Sequence, residues 1–175
     1  MDGRTASFRL WDGAHEMRIT QGDVRAIQLA KAALYAGCRL LMDKMGIDKV
    51  DRIKLAGAFG NYIDPKYAMV LGLVPDCDLA KVAAVGNAAG TGARMALLNR
   101  GHRREIEDLV KRIEKIETAL EARFQEHFVN AMALPNKVEP FPELAKAVDF
   151  PVVAPGDSGD GGDGAPRRRR RRAKG

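Results

Sequence analysis

The stretch "LAGAFGNYIDP", Leu55–Pro65, decides the fold. It follows "DRIK", so an apolar-alternating run leaves through two glycines set around an Ala-Phe pair, then reaches an amide, an aromatic and an Asp-Pro stop. Glycine lets a backbone take positive φ or lie close against another group, because no Cβ stands in the way. Two readings are open from these residues alone. The turn either packs a helix onto a strand or lays bare backbone against a flat ligand.

Outward from the turn, the elements alternate. Residues 52–56 read as a strand, and Pro65 suits the first turn of a short helix that Gly72 ends. Val82–Val85 is a second short apolar run, and "GNAAGTGARMALLNRG" after it reads as a glycine-rich turn opening a helix that ends near Asn99. Strand, glycine-rich turn and helix thus occur twice, which argues α/β architecture. Upstream, Asp12-Gly13 separates two β-like runs and predicts an antiparallel hairpin over residues 1–19. "TQGD" offers Thr20 as N-cap with Asp23 three residues on, and Gly46 is the expected stop. Between them Val24, Ile27, Ala30, Leu34, Cys38, Leu41, Met42 and Met45 predict one helix with a broad buried face. Charge and apolar spacing alone would make residues 103–133 one long helix. "FPELAKAVDFP" reads as irregular chain whose aromatics pack on the body.

Composition narrows the classes. A chain of 175 residues, 46% hydrophobic and 30% charged, is sized for one core. Its net charge of +6 is unevenly placed. Arg167–Arg172 and Lys174 hold seven of the 29 basic residues and Asp157, Asp160 and Asp163 three of the 23 acidic ones, leaving a nearly neutral body. Three segments follow: the hairpin 1–19, a domain 20–154, and a Gly/Asp linker with an arginine tail, 155–175, disordered by composition. Cys38 and Cys77, 39 residues apart, give no disulfide framework, zinc site or iron–sulfur cluster. No run approaches the ~20 apolar residues of a membrane span and no signal peptide is legible, so the expected location is cytoplasmic.

The chemistry-bearing motifs are sparse. The turn from Gly86 fails the Walker A pattern, since Thr91 and Gly92 stand where Gly and Lys are needed, and Met95 breaks a GxGxxG from Gly90. His15, His102 and His127 are scattered, and no catalytic or metal-ligating residue can be assigned.

Three segments in order, "ITQGDVRAIQLAKAALYAG", "IKLAGAFGNYIDPKYAMVLGLVPD" and "VGNAAGTGARMALL", resemble the C-terminal region of the ATP-dependent reductive activators of corrinoid proteins, from about Arg18 to Pro151. Those activators belong to the actin-like (ribonuclease H-like) ATPase superfamily. The resemblance implies a partial actin-like domain, its C-terminal half. It places Gly57, Ala58, Phe59, Gly60 and Asn61 at the superfamily's adenosine-binding turn, with Gly86 and Asn87 at the next turn. Gln28 and Lys31, one turn apart, match the polar pair that chaperone relatives hold near the ribose, although a solvated helix edge would look the same. It also implies that "IEKIETALEARFQEHFVNAMALP" breaks into a strand and a helix. The implied role is the nucleotide-binding part of an activase that returns Co(II) corrinoid proteins to Co(I) for methyl transfer. ATP would be the cofactor, with magnesium supplied by another half, and the partner a corrinoid iron–sulfur or methyltransferase corrinoid protein.

These 175 residues carry neither a ferredoxin-like cluster motif nor a DxG phosphate hairpin ahead of Thr20. A separate ferredoxin or phosphate-binding subunit, or a homo-oligomer, is therefore expected, and ATPase activity of this chain alone is not. Two rival readings remain, a non-catalytic module that keeps the fold and a nucleic-acid-associated protein acting through its arginines. The latter is disfavoured by the lack of interleaved aromatics. Deleting residues 156–175 is expected to leave the melting temperature unchanged and to remove any DNA or RNA binding, which should weaken steeply with salt. Binding retained after truncation would place a nucleic-acid site on the body.

Overall fold

The computed structural model describes residues 6–149 except 59, 61 and 137; the linker and arginine tail lie outside the described residues. Strands β1 (Ser7–Asp12) and β2 (Glu16–Thr20) pair antiparallel around a three-residue connection, with a register irregularity between Arg9 and Trp11. Helix α1 (Gln21–Met45) follows. Its capping box is complete. Asp23 N donates to Thr20 Oγ1 at 3.2 Å and Thr20 N to the Asp23 carboxylate at 2.8 Å. The Thr20 backbone and side-chain hydrogen bonds together hold Asp23 below the usual carboxylate range. Gly46, at φ 65°, closes the other end.

β3 (Ile53–Ala56), α2 (Pro65–Leu71) and β4 (Val82–Gly86) form a parallel βαβ unit, with Ile53 opposite Val82 and Ala56 opposite Gly86. Asp64 caps α2 through Lys66 N at 2.8 Å, and Gly72 ends it at φ 72°. α3 (Ala88–Leu98) and α4 (Arg100–Val110) meet at Asn99, α5 (Ala122–Asn130) lies against α1, and the short α6 (Pro142–Ala145) follows. The architecture is α/β, as the alternation of elements requires.

Two expectations need correction. Residues 111–117 hold no strand and no continuous helix; a 3-10 turn at Thr118–Leu120 leads into α5. Among the described residues no strand edge pairs with Ile113–Thr118, and an apolar–polar alternation without a partner stays irregular. On α1 the buried side chains are Lys31, Ala32, Tyr35, Ala36, Leu40 and Met42, whereas Leu34, Leu41 and Met45 are 51%, 52% and 71% exposed. Of the apolar stripe read from spacing, Met42 is buried and Val24 and Cys38 half-buried, while Ile27, Ala30, Leu34, Leu41 and Met45 face outward.

Two hydrophobic clusters make the core. One joins Met69, Val74, Cys77, Val82 and Leu144; the other joins Ala32, Tyr35 and Ala131. Phe141 packs against both, its ring 6.1 Å from that of Tyr35. Segment 131–148 thus straps α1 to the βαβ unit. Tyr35 donates to Glu139 at 2.6 Å, Arg39 pairs with Glu139 at 3.1 Å, and the Asp76 carboxylate accepts from Glu143 N and Leu144 N at 2.9 and 3.0 Å.

Burial, then the hydrogen bond and charge of Glu139, raise the Tyr35 phenol well above its usual range. A phenol held protonated in the fold contributes stability that is present below its ordinary pKa of about 10 and lost as pH rises above it. Tyr35→Phe is expected to cost about 1–2 kcal/mol at pH 7 and to flatten the alkaline decline above pH ~10, read by urea unfolding across pH. Equal alkaline slopes in both proteins would contradict this account.

Candidate functional site

Both glycine turns sit at the carboxyl ends of adjacent parallel strands. Ala56 pairs with Gly86, and Gly57 N donates to Gly86 O at 2.8 Å, so the turns after β3 and β4 are stitched together. Crevices at the carboxyl ends of parallel strands are where α/β folds hold ligands. Gly57 (φ 100°) and Gly86 (φ 72°) both occupy conformations that a side chain resists. A Cβ on Gly57 would meet no described residue within 4 Å.

Gly60 has a different reason to be glycine. Its Cβ would fall 2.9 Å from Leu55 O, so the chain folds back onto its own strand there. Ala58 is exposed; Phe59 and Asn61 lie outside the described residues. Asn87 caps α3, accepting from Gly90 N at 2.9 Å, and a Cβ on Gly90 would crowd that side chain at 2.7 Å. Gly57, Ala58, Gly60, Gly86 and Asn87 are therefore brought to one end of the parallel pair.

Lys31 is placed differently. Its side chain is fully buried, Nζ donates to Ala133 O at 2.5 Å, and a Cβ on Gly72 would lie 3.5 Å from that nitrogen. Burial lowers its pKa. Gln28, one turn earlier, is half-buried.

Sequence reasoning missed a second polar cluster. His127 Nε2 lies 2.6 Å from Asp43 Oδ2, with Arg123 at 3.1 Å from the same oxygen, joining α5 to α1 across 84 residues. No local spacing could reveal that pair. A cavity of about 420 Å³ opens beyond Arg39, lined by Asp48, Asp51, Asp76, Cys77 and Glu139 among others. None of the glycine-turn residues lines it. Its Asp76 and Glu139 are engaged with α6, Tyr35 and Arg39, so it reads as a polar seam of the fold. Cys38 is half-buried and Cys77 buried, both thiols raised by burial. Among the described residues no group of three or more His, Cys, Asp or Glu could hold a metal ion.

The family described as the C-terminal domain of RACo, the ASKHA domain, matches residues 2–145. The chain belongs to that family. The match takes in both strands of the hairpin and ends within the strap. The corrinoid activation enzyme RamQ of Eubacterium limosum is 43% identical over 113 residues, 63% of this chain and 19% of its own. A solved reductive activator for corrinoid, iron–sulfur protein superposes with a TM-score of 0.62 at 34% identity, over 69% of this chain and 20% of that one. The ASKHA-type domain segment thus spans about a fifth of the length of either relative.

Gly60→Ala is expected to lower stability by about 1–3 kcal/mol, because backbone cannot yield as a side chain can. Gly92→Ala, in α3 with nothing within 4 Å of its Cβ, is expected to be neutral or mildly stabilising. Chemical denaturation of the two variants checks the contrast; equal tolerance would refute the close approach.

Proposed function

We propose that this domain forms the adenosine-side wall of the ATP site in a reductive activase that returns Co(II) corrinoid proteins to Co(I). The observation that supports it most is the junction of Gly57 with Gly86, two positive-φ turns at the ends of parallel strands, with no described residue within 4 Å of a Cβ on Gly57. A purine needs a flat surface clear of side chains, and the glycine backbone at Gly57 and Gly86 would offer one. Gly57, Ala58 and Gly60, with Phe59 and Asn61, would lie against the nucleoside, and Gly86 and Asn87 would border it. Gln28 would line the ribose edge. Lys31, engaged with Ala133 O, would act on that edge by fixing the strap beside α1.

ATP turnover in such a system supplies the drive for an uphill electron transfer through differential contacts in two conformations. Magnesium and the terminal phosphate would be held by a phosphate-binding half, and electrons would come from a ferredoxin part. The corrinoid protein would be the acceptor, in keeping with what the two relatives' names state of those proteins. No helix among the described residues is long and apolar enough to cross a membrane.

Calorimetry on the folded chain should show weak binding of ADP and ATP with similar affinity, because the sequence holds no DxG phosphate hairpin ahead of Thr20. Gly57→Val and Ala58→Trp should each weaken it at least ten-fold, with the helical circular dichroism signal retained. Absence of heat at millimolar nucleotide would contradict the reading.

A further inference from the structure

Folded chains are close-packed, and a segment with a void on each side lacks the contacts that hold its neighbours in place. Glu139 and Pro140 are in that position. Both line the cavity of about 420 Å³ beyond Arg39, and both line a second cavity of about 210 Å³ bounded by Met69, Gly72, Pro135 and Phe141. The chain at 138–140 is thus a partition between two cavities, with Val138 and Pro140 exposed and Glu139 half-buried. Firm anchors stand on either side of it. Lys31 holds Ala133 O, Asp76 holds Glu143 N and Leu144 N, and the Leu144 side chain is fully buried. Between those anchors the Glu139 carboxylate is the one polar tie to α1 or the βαβ unit among the described residues. It accepts from the Tyr35 hydroxyl at 2.6 Å and lies 3.1 Å from Arg39 Nε. Asn136, which accepts from Val138 N and Glu139 N, only shapes the strap's own turn.

Charge works against that tie. Six carboxylates and three cations line the larger cavity, and closure adds Glu139 to the excess. Arg39 Nε is buried without an aligned hydrogen bond, and its guanidinium also lies 4.0 Å from Asp43, so it meets Glu139 by charge alone and shares that charge. We infer that the chain at 138–140 is a two-state clasp, closed in this structure and opened when Glu139 leaves Tyr35 and Arg39. Opening joins the two cavities into one crevice between α1 and the βαβ unit. Both units stay folded, still joined at Lys31–Ala133 and at Asp76–Leu144, and can shift against each other about those points. Opening also uncovers Cys77, which is buried with Val82 and Leu144 and lines the larger cavity. Such local openings cost less than global unfolding and leave the rest of a fold in place.

Cys77 therefore reports the clasp, and Cys38, half-buried on α1 and lining neither cavity, is the internal control. The full chain is alkylated with iodoacetamide under native conditions, and each cysteine is followed by mass spectrometry as low concentrations of urea are added. Cys77 is expected to react more slowly than Cys38, with a urea dependence well below that of global unfolding. Tyr35→Phe and Glu139→Ala should each raise the Cys77 rate about ten-fold, the effect of losing one buried hydrogen bond, with the Cys38 rate and the circular dichroism unchanged. Glu139→Gln, which still accepts from Tyr35 but no longer offsets Arg39, should raise it less than Glu139→Ala. Four results would overturn the inference. Cys77 could react as fast as Cys38 in the unaltered chain, so that nothing covers it. It could react only with the full urea dependence of global unfolding, so that no local opening exists. It could ignore both Tyr35→Phe and Glu139→Ala. Or Cys38 could quicken equally, which is general loosening rather than a clasp.

Discussion

Everything else in the structure depends on how segment 131–148 is held against α1. A buried ammonium is costly unless its charge is met by hydrogen bonding. Lys31 meets that cost by donating to Ala133 O beneath Gly72, the residue that ends α2. One side chain therefore fixes the strap, and its nitrogen sits where α2 stops. Three turns of α1 continue the attachment through Lys31, Tyr35 and Arg39, the last two sharing the Glu139 carboxylate. Leu144 and Phe141 then carry the strap into the core of the βαβ unit. A strap released from Lys31 would take with it Phe141, the aromatic that joins the α1 cluster to that of the parallel strands.

Local rules made much of this legible. The Thr20–Asp23 box, the Gly46 and Gly72 stops, the Asp64 cap and both strand–glycine–helix repeats need only neighbours in sequence, and each stands where the chain places it. The face of α1 was not legible, because apolar spacing says which stripe should be buried but not by what. In these residues the stripe through Leu34 and Leu41 meets solvent, and Ala32, Tyr35 and Leu40 do the packing. "IEKIET" failed for a related reason, since a strand exists only where another edge accepts it. The sequence left Lys31 either beside a ribose or on a solvated helix edge; its ammonium is buried and donates to a carbonyl 102 residues away. The Asp43–His127 pair carried no sequence signal.

At the candidate site, glycine spacing was informative, yet the two glycines of the turn owe their identity to different causes. Gly57 is set by backbone conformation, with no described residue within 4 Å of a Cβ there, while Gly60 is set by the approach of Leu55 O. The turn's shape thus comes from the protein itself, and on the Gly57 side no described residue stands in a ligand's way. A preformed backbone wall of this sort needs no rearrangement to meet a flat ring.

Amide chemical shifts on titration with ADP test this central claim most directly, because glycine amides resolve well and the chain carries internal controls. The account predicts that Gly57, Gly60 and Gly86 shift together with one saturation curve, while Gly46 and Gly72, equally left-handed but at helix ends, stay fixed. Shifts confined to Gly46, Gly72 or the acidic cavity, with the strand-end glycines unmoved, would contradict it.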